Sequence, residues 1–240
     1  MKKTLFIWSM LSILYSCSNE NNDDNSPIEI SPKNAVTNSN EFITFKMKKG
    51  SSTLNANDFT WSTSNEKIAT ISYDGVVSPK LIGEIEILSK QISSNETFKS
   101  QLKIIPVENI FKEPVLLFGK SKQEIKSNET RTLISETTNN YNHDILVYKG
   151  ENNDVEKITY TFSTLIPNSP NYGLTDISVQ FRKNVALESK ISKFYSERYI
   201  QNNSIITDWW GYDLNKTVEV AVILNSVANP NSYRAYYSQY

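Results

Sequence analysis

The sequence predicts an all-β sandwich followed by an α+β domain, both behind a short apolar segment at the N-terminus. The sandwich is predicted because residues 27–106 alternate polar and apolar residues, with turn residues about every eight to twelve positions. The α+β domain is predicted because residues 107–240 combine longer strands with two helical patterns. The apolar segment is confined to residues 1–16.

Residues 1–16 have the organisation of a signal peptide. Lys2 and Lys3 precede an apolar run over residues 5–14, which is shorter than the ~20 residues that cross a bilayer. Ser16 then precedes the only cysteine, Cys17. This arrangement resembles the lipobox of bacterial lipoproteins, which implies a diacylglyceryl group on Cys17 and an outer membrane lipoprotein. The alternative is an ordinary secretory signal that ends by chance beside a cysteine.

Residues 17–26 form a polar tether after the signal. The stretch from Ser18 to Ser26 has no apolar residue and cannot build a core. Its acidic residues Glu20, Asp23 and Asp24 resemble the export signal of surface lipoproteins from Bacteroidota, which implies display on the cell surface. A plain soluble spacer is the other interpretation, so cell-surface and periplasmic display both stay open.

The composition limits which partners the chain is expected to bind and which interactions can stabilise its fold. The chain has 25 Lys and Arg residues, two of which leave with the signal, against 26 Asp and Glu residues. Because the mature chain is mildly acidic and has no basic run, nucleic acid is not an expected partner. A single cysteine excludes an internal disulfide. The 4 Trp, 13 Tyr and 10 Phe residues supply apolar cores instead.

Residues 27–106 carry several motif elements in one order. Asp74-Gly75 predicts a tight hairpin, and Trp61 is expected to point into the core among Ile68, Ile71, Val77, Ile85 and Ile87. The blocks are Trp61-Ser62-Thr63-Ser64-Asn65, Ala69-Thr70-Ile71, Asp74-Gly75-Val76-Val77 and Gly83-Glu84-Ile85-Glu86-Ile87. Together they resemble the group 2 bacterial immunoglobulin-like domain, which implies an immunoglobulin-like spacer without an active site.

Residues 107–240 form the C-terminal region, and the segment at its start, from Pro106 to Pro114, is expected to be a hinge. Ser121 and Glu124 have capping-box spacing and predict a short helix. A second helix is predicted over residues 185–201, where one apolar stripe is formed by Leu187, Ile191, Phe194, Tyr195 and Arg198. Glu197-Arg198 on this helix is interpreted as a solvated pair. Six predicted strands lie at residues 144–148, 157–162, 174–181, 205–210, 217–224 and 232–238.

These elements predict a helix followed by three strands, twice over, in an antiparallel sheet with both helices on one face. The order of elements resembles the β-lactamase inhibitor protein and small outer-membrane assembly lipoproteins.

Catalytic and metal-binding chemistry has little support in the sequence. His143 is the only histidine, no second thiol exists, and no glycine-rich phosphate loop is present. We therefore expect no metal site and no cofactor. Asp208 and Asp213 are the remaining acid pair, since a glycosidase needs two carboxyl groups near aromatic side chains. The simpler interpretation gives these aspartates turn and strand-end roles.

Aromatic residues crowd the last thirty-odd positions, and four of them are candidate ligand-binding residues: Trp209, Trp210, Tyr212 and Tyr237. Strand alternation sends Trp209 and Trp210 to opposite sides of a sheet, and it separates Tyr236 from Tyr233 and Tyr237. One side is expected in the core, and the other is either exposed for binding or covered.

The sequence thus favours a non-enzymatic lipoprotein, anchored through Cys17, whose sandwich presents a C-terminal domain to a protein or glycan. An outer-membrane structural or assembly factor and an acid-pair carbohydrate-active enzyme are the alternatives.

Overall fold

The computed structural model describes residues 26–163, 173–202, 208–224 and 231–240. The predicted signal peptide, Cys17 and nearly all of the tether lie outside these ranges. The described chain is mostly β-sheet and has two α-helices. Within it, no helix is long and apolar enough to cross a membrane.

Residues 28–105 form a β-sandwich built from three small sheets. Its ten strands are β1 (Ile28–Ser31), β2 (Asn34–Asn38), β3 (Ile43–Thr44), β4 (Lys46–Lys49), β5 (Ser52–Thr53), β6 (Phe59–Thr63), β7 (Ala69–Ile71), β8 (Val76–Pro79), β9 (Gly83–Gln91) and β10 (Thr97–Ile105). The sheets have the orders β2-β10-β9-β6, β1-β4-β5 and β3-β8-β7. All three contribute buried side chains to a single core.

The centre of that core differs from the sequence prediction. Phe45 is fully buried and Phe59 nearly so, whereas Trp61 is only partly buried at the margin. Trp61 does point inward, because it shares the inner side of β6 with Phe59. Its indole nitrogen has no hydrogen-bond partner within the part of the chain that the structure describes. The two phenylalanines fill the centre that the sequence had assigned to the tryptophan.

The predicted Asp74-Gly75 turn is confirmed. Gly75 has φ +82°, and its N–H donates to the Ser72 carbonyl at 3.1 Å. Glycine is needed here for its positive φ and also for space, since a Cβ at this position would lie 2.2 Å from the Phe45 carbonyl oxygen.

Gly75→Ala is therefore expected to lower the free energy of unfolding by more than the ~1–2 kcal/mol that a left-handed backbone alone costs. Gly119→Ala is the matched control, because Gly119 has φ +76° but its added Cβ would have no heavy atom of the described residues within 4 Å. Urea denaturation of both variants measures the difference. Equal losses would show that the contact with Phe45 carries no energy.

The rest of the chain forms one eight-stranded sheet with two helices. The helices are α1 (Lys122–Asn128) and α2 (Val185–Ser196), and the strands are β11 (Leu133–Thr138), β12 (Asp144–Lys149), β13 (Val155–Ser163), β14 (Gly173–Arg182), β15 (Ile200–Asn202), β16 (Trp209–Tyr212), β17 (Val218–Ile223) and β18 (Ser232–Gln239). The order β11-β12-β13-β14-β18-β17-β16-β15 is antiparallel throughout.

The repeat differs from the prediction by one strand. Each helix is followed by four strands rather than three, because β11 and β15 were not predicted. The last strands of the two halves, β14 and β18, pair at the centre of the sheet. The two halves are thus arranged symmetrically about that pair.

Both helices pack on the same side of this sheet. The predicted capping box of α1 is present, and α1 buries Ile125. The predicted stripe is confirmed for Leu187, Ile191, Phe194 and Tyr195, which are buried, but α2 ends at Ser196, before Arg198 and before the predicted end at residue 201. These helix residues share one core with the alternate residues of strands β12–β14 and β16–β18. The opposite side of the sheet, which we call the open face, keeps partly exposed side chains.

The segment between the two cores is a fixed strap rather than the predicted hinge. We call residues 107–118 the linker strap. Phe111 is buried in the C-terminal core, where its ring stacks on Phe194 at 4.8 Å and meets Phe181 edge-on at 5.4 Å. The strap backbone also bonds this core, since Val115 N–H donates to the Tyr160 hydroxyl at 2.9 Å. Buried apolar side chains hold the strap in place.

Glu197 ties the strap to both parts of the chain, which overturns its interpretation as a solvated residue. Its side chain is 1% exposed and accepts hydrogen bonds from the N–H groups of Val107 at 3.0 Å and Glu108 at 3.1 Å. The Ser39 hydroxyl of the sandwich also donates to this carboxylate. Sequence periodicity had placed Glu197 beside the apolar stripe, but the meeting of sandwich, strap and α2 buries it.

Glu113, a carboxyl of the strap itself, makes a pH-dependent contribution to stability. Burial raises the pKa of Glu113, and the Tyr199 hydroxyl at 2.7 Å and Arg198 only partly offset that effect. A carboxyl with a raised folded-state pKa stabilises the protein fully below its unfolded pKa, and this stabilisation is lost as pH rises through the folded-state value.

Glu113→Gln is therefore expected to raise stability at pH 7–8 relative to the wild type and to change it little below about pH 4. Thermal unfolding across this pH range measures the difference. A Gln variant that is less stable than the wild type at pH 8 would contradict the sign of the effect.

Candidate ligand-binding surface

The open face is lined by the residues of the eight-stranded sheet that alternate with the buried ones. Its central row runs in register through Val147, Thr159, Ser178, Tyr236, Ala221 and Trp210. These side chains are partly exposed, and Tyr236 is the most exposed at 37%. The face therefore offers a broad surface of mixed polar and aromatic character.

Two of the aromatic residues flank a small one. Trp210 on β16 pairs with Ala221 on β17, and Ala221 pairs with Tyr236 on β18. Two strand spacings separate the backbones that carry Trp210 and Tyr236, which is about 10 Å. Because the Ala221 side chain is only a methyl group, the surface between the two aromatic side chains is lower than the side chains themselves.

A third aromatic site lies at one end of the face. The ring of Tyr212 meets that of Tyr240 edge-on at 5.5 Å. The Lys216 ammonium lies 5.0 Å from the Tyr212 ring centroid and 5.6 Å from that of Tyr240. These contacts fix the two rings and place a positive charge beside them.

The other end of the face carries a row of basic residues. Lys149 pairs with Lys157, Lys157 with Gln180, and Gln180 with Arg234. We call these three basic residues, together with Gln180, the basic row. Arg234 donates through Nη2 to Gln180 Oε1 at 3.3 Å and through Nη1 to the Tyr236 hydroxyl at 3.4 Å. The basic row thus adjoins the aromatic pair through Tyr236.

Only two of the four predicted aromatic candidates lie on this surface. Trp210 and Tyr212 do, but Tyr237 is completely buried and Trp209 is 5% exposed. Tyr237 bonds the Tyr195 hydroxyl at 2.8 Å, and Trp209 packs against Tyr195. The choice of Trp209 and Tyr237 is therefore corrected, since core residues under α2 cannot meet an outside ligand.

The sequence-based list omitted the two central residues of β18 on this face, Arg234 and Tyr236. Strand alternation was sufficient to find them. Tyr233, Ala235 and Tyr237 are buried, so the residues between them must point to the open side.

The acid pair is not brought together by the fold. Asp208 and Asp213 lie at opposite ends of β16, about 16 Å apart along the strand, whereas glycosidase carboxyl groups lie within about 10 Å. Burial alone raises the pKa of Asp213, but hydrogen bonds from Val218 and Thr217 outweigh it and hold that pKa low. A general acid needs the opposite shift.

Metal chemistry finds no support in the described ranges, where no group of three or more His, Cys, Asp or Glu side chains could hold a metal ion. His143 lies in the loop between β11 and β12, where its backbone N–H donates to Asn139 Oδ1 at 3.0 Å. It is a loop residue with a turn hydrogen bond.

Neither a protein-family model nor a curated protein matches the chain. Among solved structures, it is similar to pieces of the surface-layer protein SbsC. Domains 5–6 share 8% identity with a TM-score of 0.28, covering 90% of this chain and 84% of that one. Domains 4 and 5 share 13% identity with a TM-score of 0.25, covering 89% and 86%. TM-scores this low carry no argument about fold or function.

Proposed function

We propose that this protein is an envelope lipoprotein, anchored through Cys17, whose sandwich is an immunoglobulin-like spacer and whose C-terminal α+β domain binds a protein or glycan. The open face is the observation that carries the proposal. One side of the eight-stranded sheet is covered by helices, while the other leaves Trp210 and Tyr236 partly exposed on either side of Ala221. No catalytic step is assigned to any residue.

The fixed strap supports the spacer part of this proposal. Phe111 and Glu197 hold residues 107–118 against the C-terminal core, and Glu197 also accepts a hydrogen bond from Ser39 of the sandwich. A spacer that is joined in this way holds the open face in a constant direction relative to the anchor. A flexible hinge would not.

Aromatic side chains supply the binding energy in this proposal. Tyr and Trp offer a large apolar area with few rotatable bonds, and they dominate the energetics of many interfaces. Trp210 and Tyr236 stand on separate strands of a rigid sheet, so little entropy is lost when a ligand is bound. Sugar rings and apolar protein side chains both fit such a surface.

The binding test compares two double variants of the full chain on arrays of purified glycans and extracellular proteins. Trp210→Ala with Tyr236→Ala is expected to weaken any ligand found by about 30-fold or more. Tyr73→Ala with Tyr141→Ala is the matched control, since these tyrosines are 79% and 76% exposed and lie away from the open face. Equal binding by both double variants would overturn the assignment of the face.

The anchor is tested separately. Cys17→Ser is expected to release the protein from the membrane fraction, because each buried lipid CH₂ contributes about 0.8 kcal/mol to membrane binding. Fractionation of cells that express either form measures the release, with Ser18→Ala as the control. A Cys17→Ser protein that stays in the membrane would contradict lipid anchoring. Protease digestion of intact cells then separates surface display from periplasmic display.

A further inference from the structure

The basic row carries positive charge that the protein itself does not neutralise. Lys149 and Lys157 are directly paired across two strands, an arrangement that is unfavourable for like charges. Among the described residues, no carboxylate forms an ion pair with Lys149, Lys157 or Arg234. The carboxylate that touches the row, Glu156, accepts from the neutral amide of Gln180 at 2.6 Å.

Arg234 is the most constrained cation of the row. Its Nε is buried and has no hydrogen-bond partner among the described residues, and its two Nη contacts are long for hydrogen bonds to a guanidinium. A buried donor without an acceptor is uncommon and calls for a physical explanation. An arginine held in a fixed orientation, with weak internal partners, is well suited to a carboxylate.

Apart from Glu156, which touches Gln180, the acidic residues of the open face stand away from this row. Asp176 lies four residues along β14 from Gln180, and Glu219 pairs with Ser238, four residues along β18 from Arg234. Four residues of strand span about 13 Å. A ligand can therefore meet the basic row without meeting these carboxylates.

We propose that the open face binds an acidic oligosaccharide, with sugar carboxylates on the basic row and sugar rings against Trp210 and Tyr236. This inference rests on the proposed function and names its ligand. Lys157 and Trp210 are four strand spacings apart, about 19 Å, so the surface fits a chain of several sugars rather than one.

An acidic peptide is less well matched to the same surface. A peptide that binds by strand addition gains its affinity by pairing with the edge of a sheet. The basic row and the aromatic pair lie inside the face, where backbone pairing is not available and only side-chain contact occurs. The flat rings of Trp210 and Tyr236, on either side of the small Ala221 side chain, favour contact with the faces of sugar rings.

The test measures binding of the lipidated full chain, in nonionic detergent, to polygalacturonate oligomers and to the same oligomers as methyl esters. The acidic form is expected to bind at least about tenfold more tightly, and added salt is expected to reduce the difference. Arg234→Gln is expected to remove most of this preference, and Lys157→Gln part of it. Arg234→Lys keeps the positive charge but loses the planar guanidinium group. Its preference for the acidic form should lie between those of the two Gln variants. Lys90→Gln removes an exposed charge elsewhere and should change nothing.

Three results would overturn the inference: equal affinity for both forms of the oligomer, no binding to either, or a preference that survives Arg234→Gln and Lys157→Gln. Tighter binding to polyglutamate of matched charge would assign the face to acidic peptides instead. The proposed function would be overturned by a different result. It survives if a neutral glycan or a protein binds and Trp210→Ala with Tyr236→Ala abolishes that binding, and it fails if those substitutions leave every observed ligand bound.

Discussion

Phe111→Ala is expected to lower the free energy of unfolding by about 3–5 kcal/mol, the range for removing a buried phenylalanine. The side chain is 3% exposed, and its ring meets both Phe194 of α2 and Phe181 of β14. Its loss leaves a cavity between helix and sheet and detaches the strap from the core beneath it. Denaturant unfolding of the full chain measures the change.

Phe42→Ala is the matched control for this substitution. Phe42 is 70% exposed in the sandwich, so its removal should cost within about 0.5 kcal/mol. If Phe111→Ala were as mild as Phe42→Ala, the strap would be a loosely attached hinge. The fixed direction of the open face would then have no support.

Glu197→Ala is the second substitution with a large expected effect, about 3 kcal/mol or more. The carboxylate is the hydrogen-bond acceptor for Val107 N–H, Glu108 N–H and the Ser39 hydroxyl. Alanine would remove a buried carboxylate and leave these partly buried or exposed donors without that acceptor. Lys193 would lose its ion-pair partner at 3.5 Å. The link between sandwich and strap is expected to weaken most.

Calorimetry of the full chain can separate that link from general instability. We expect Glu197→Ala to split unfolding into two transitions, one for each hydrophobic core. Glu197→Gln keeps one oxygen acceptor and should give a smaller loss, and Glu96→Ala on the exposed turn of the sandwich should give almost none. A single transition at the wild-type temperature would show that Glu197 does not hold the two parts together.

Local sequence signals predicted the elements that local chemistry determines. Gly75 is needed for a positive φ, Ser121 and Glu124 complete a capping box, and the period of α2 marks its buried side. Along β18, alternation alone separates core residues from those of the open face. Each of these features depends on neighbours within a few positions of the chain.

Other features depend on contacts between distant parts of the chain. β11 is an edge strand with almost every residue exposed, and β15 has only three residues, so neither shows the alternation of a half-buried strand. The buried Glu197 carboxylate contacts Ser39, 158 positions away in the chain. The basic row exists because β18 inserts between β14 and β17, and no local pattern predicts that strand order.

Hydroxyl-radical footprinting of the wild-type protein, with and without the ligand that the arrays select, tests the central claim most directly. Oxidation of exposed aromatic side chains is read residue by residue by mass spectrometry. We predict that the ligand protects Trp210 and Tyr236 and leaves Tyr73 and Tyr141 unchanged. Protection at Tyr73 or Tyr141, with Trp210 and Tyr236 still oxidised at the free rate, would contradict the open face as the binding surface.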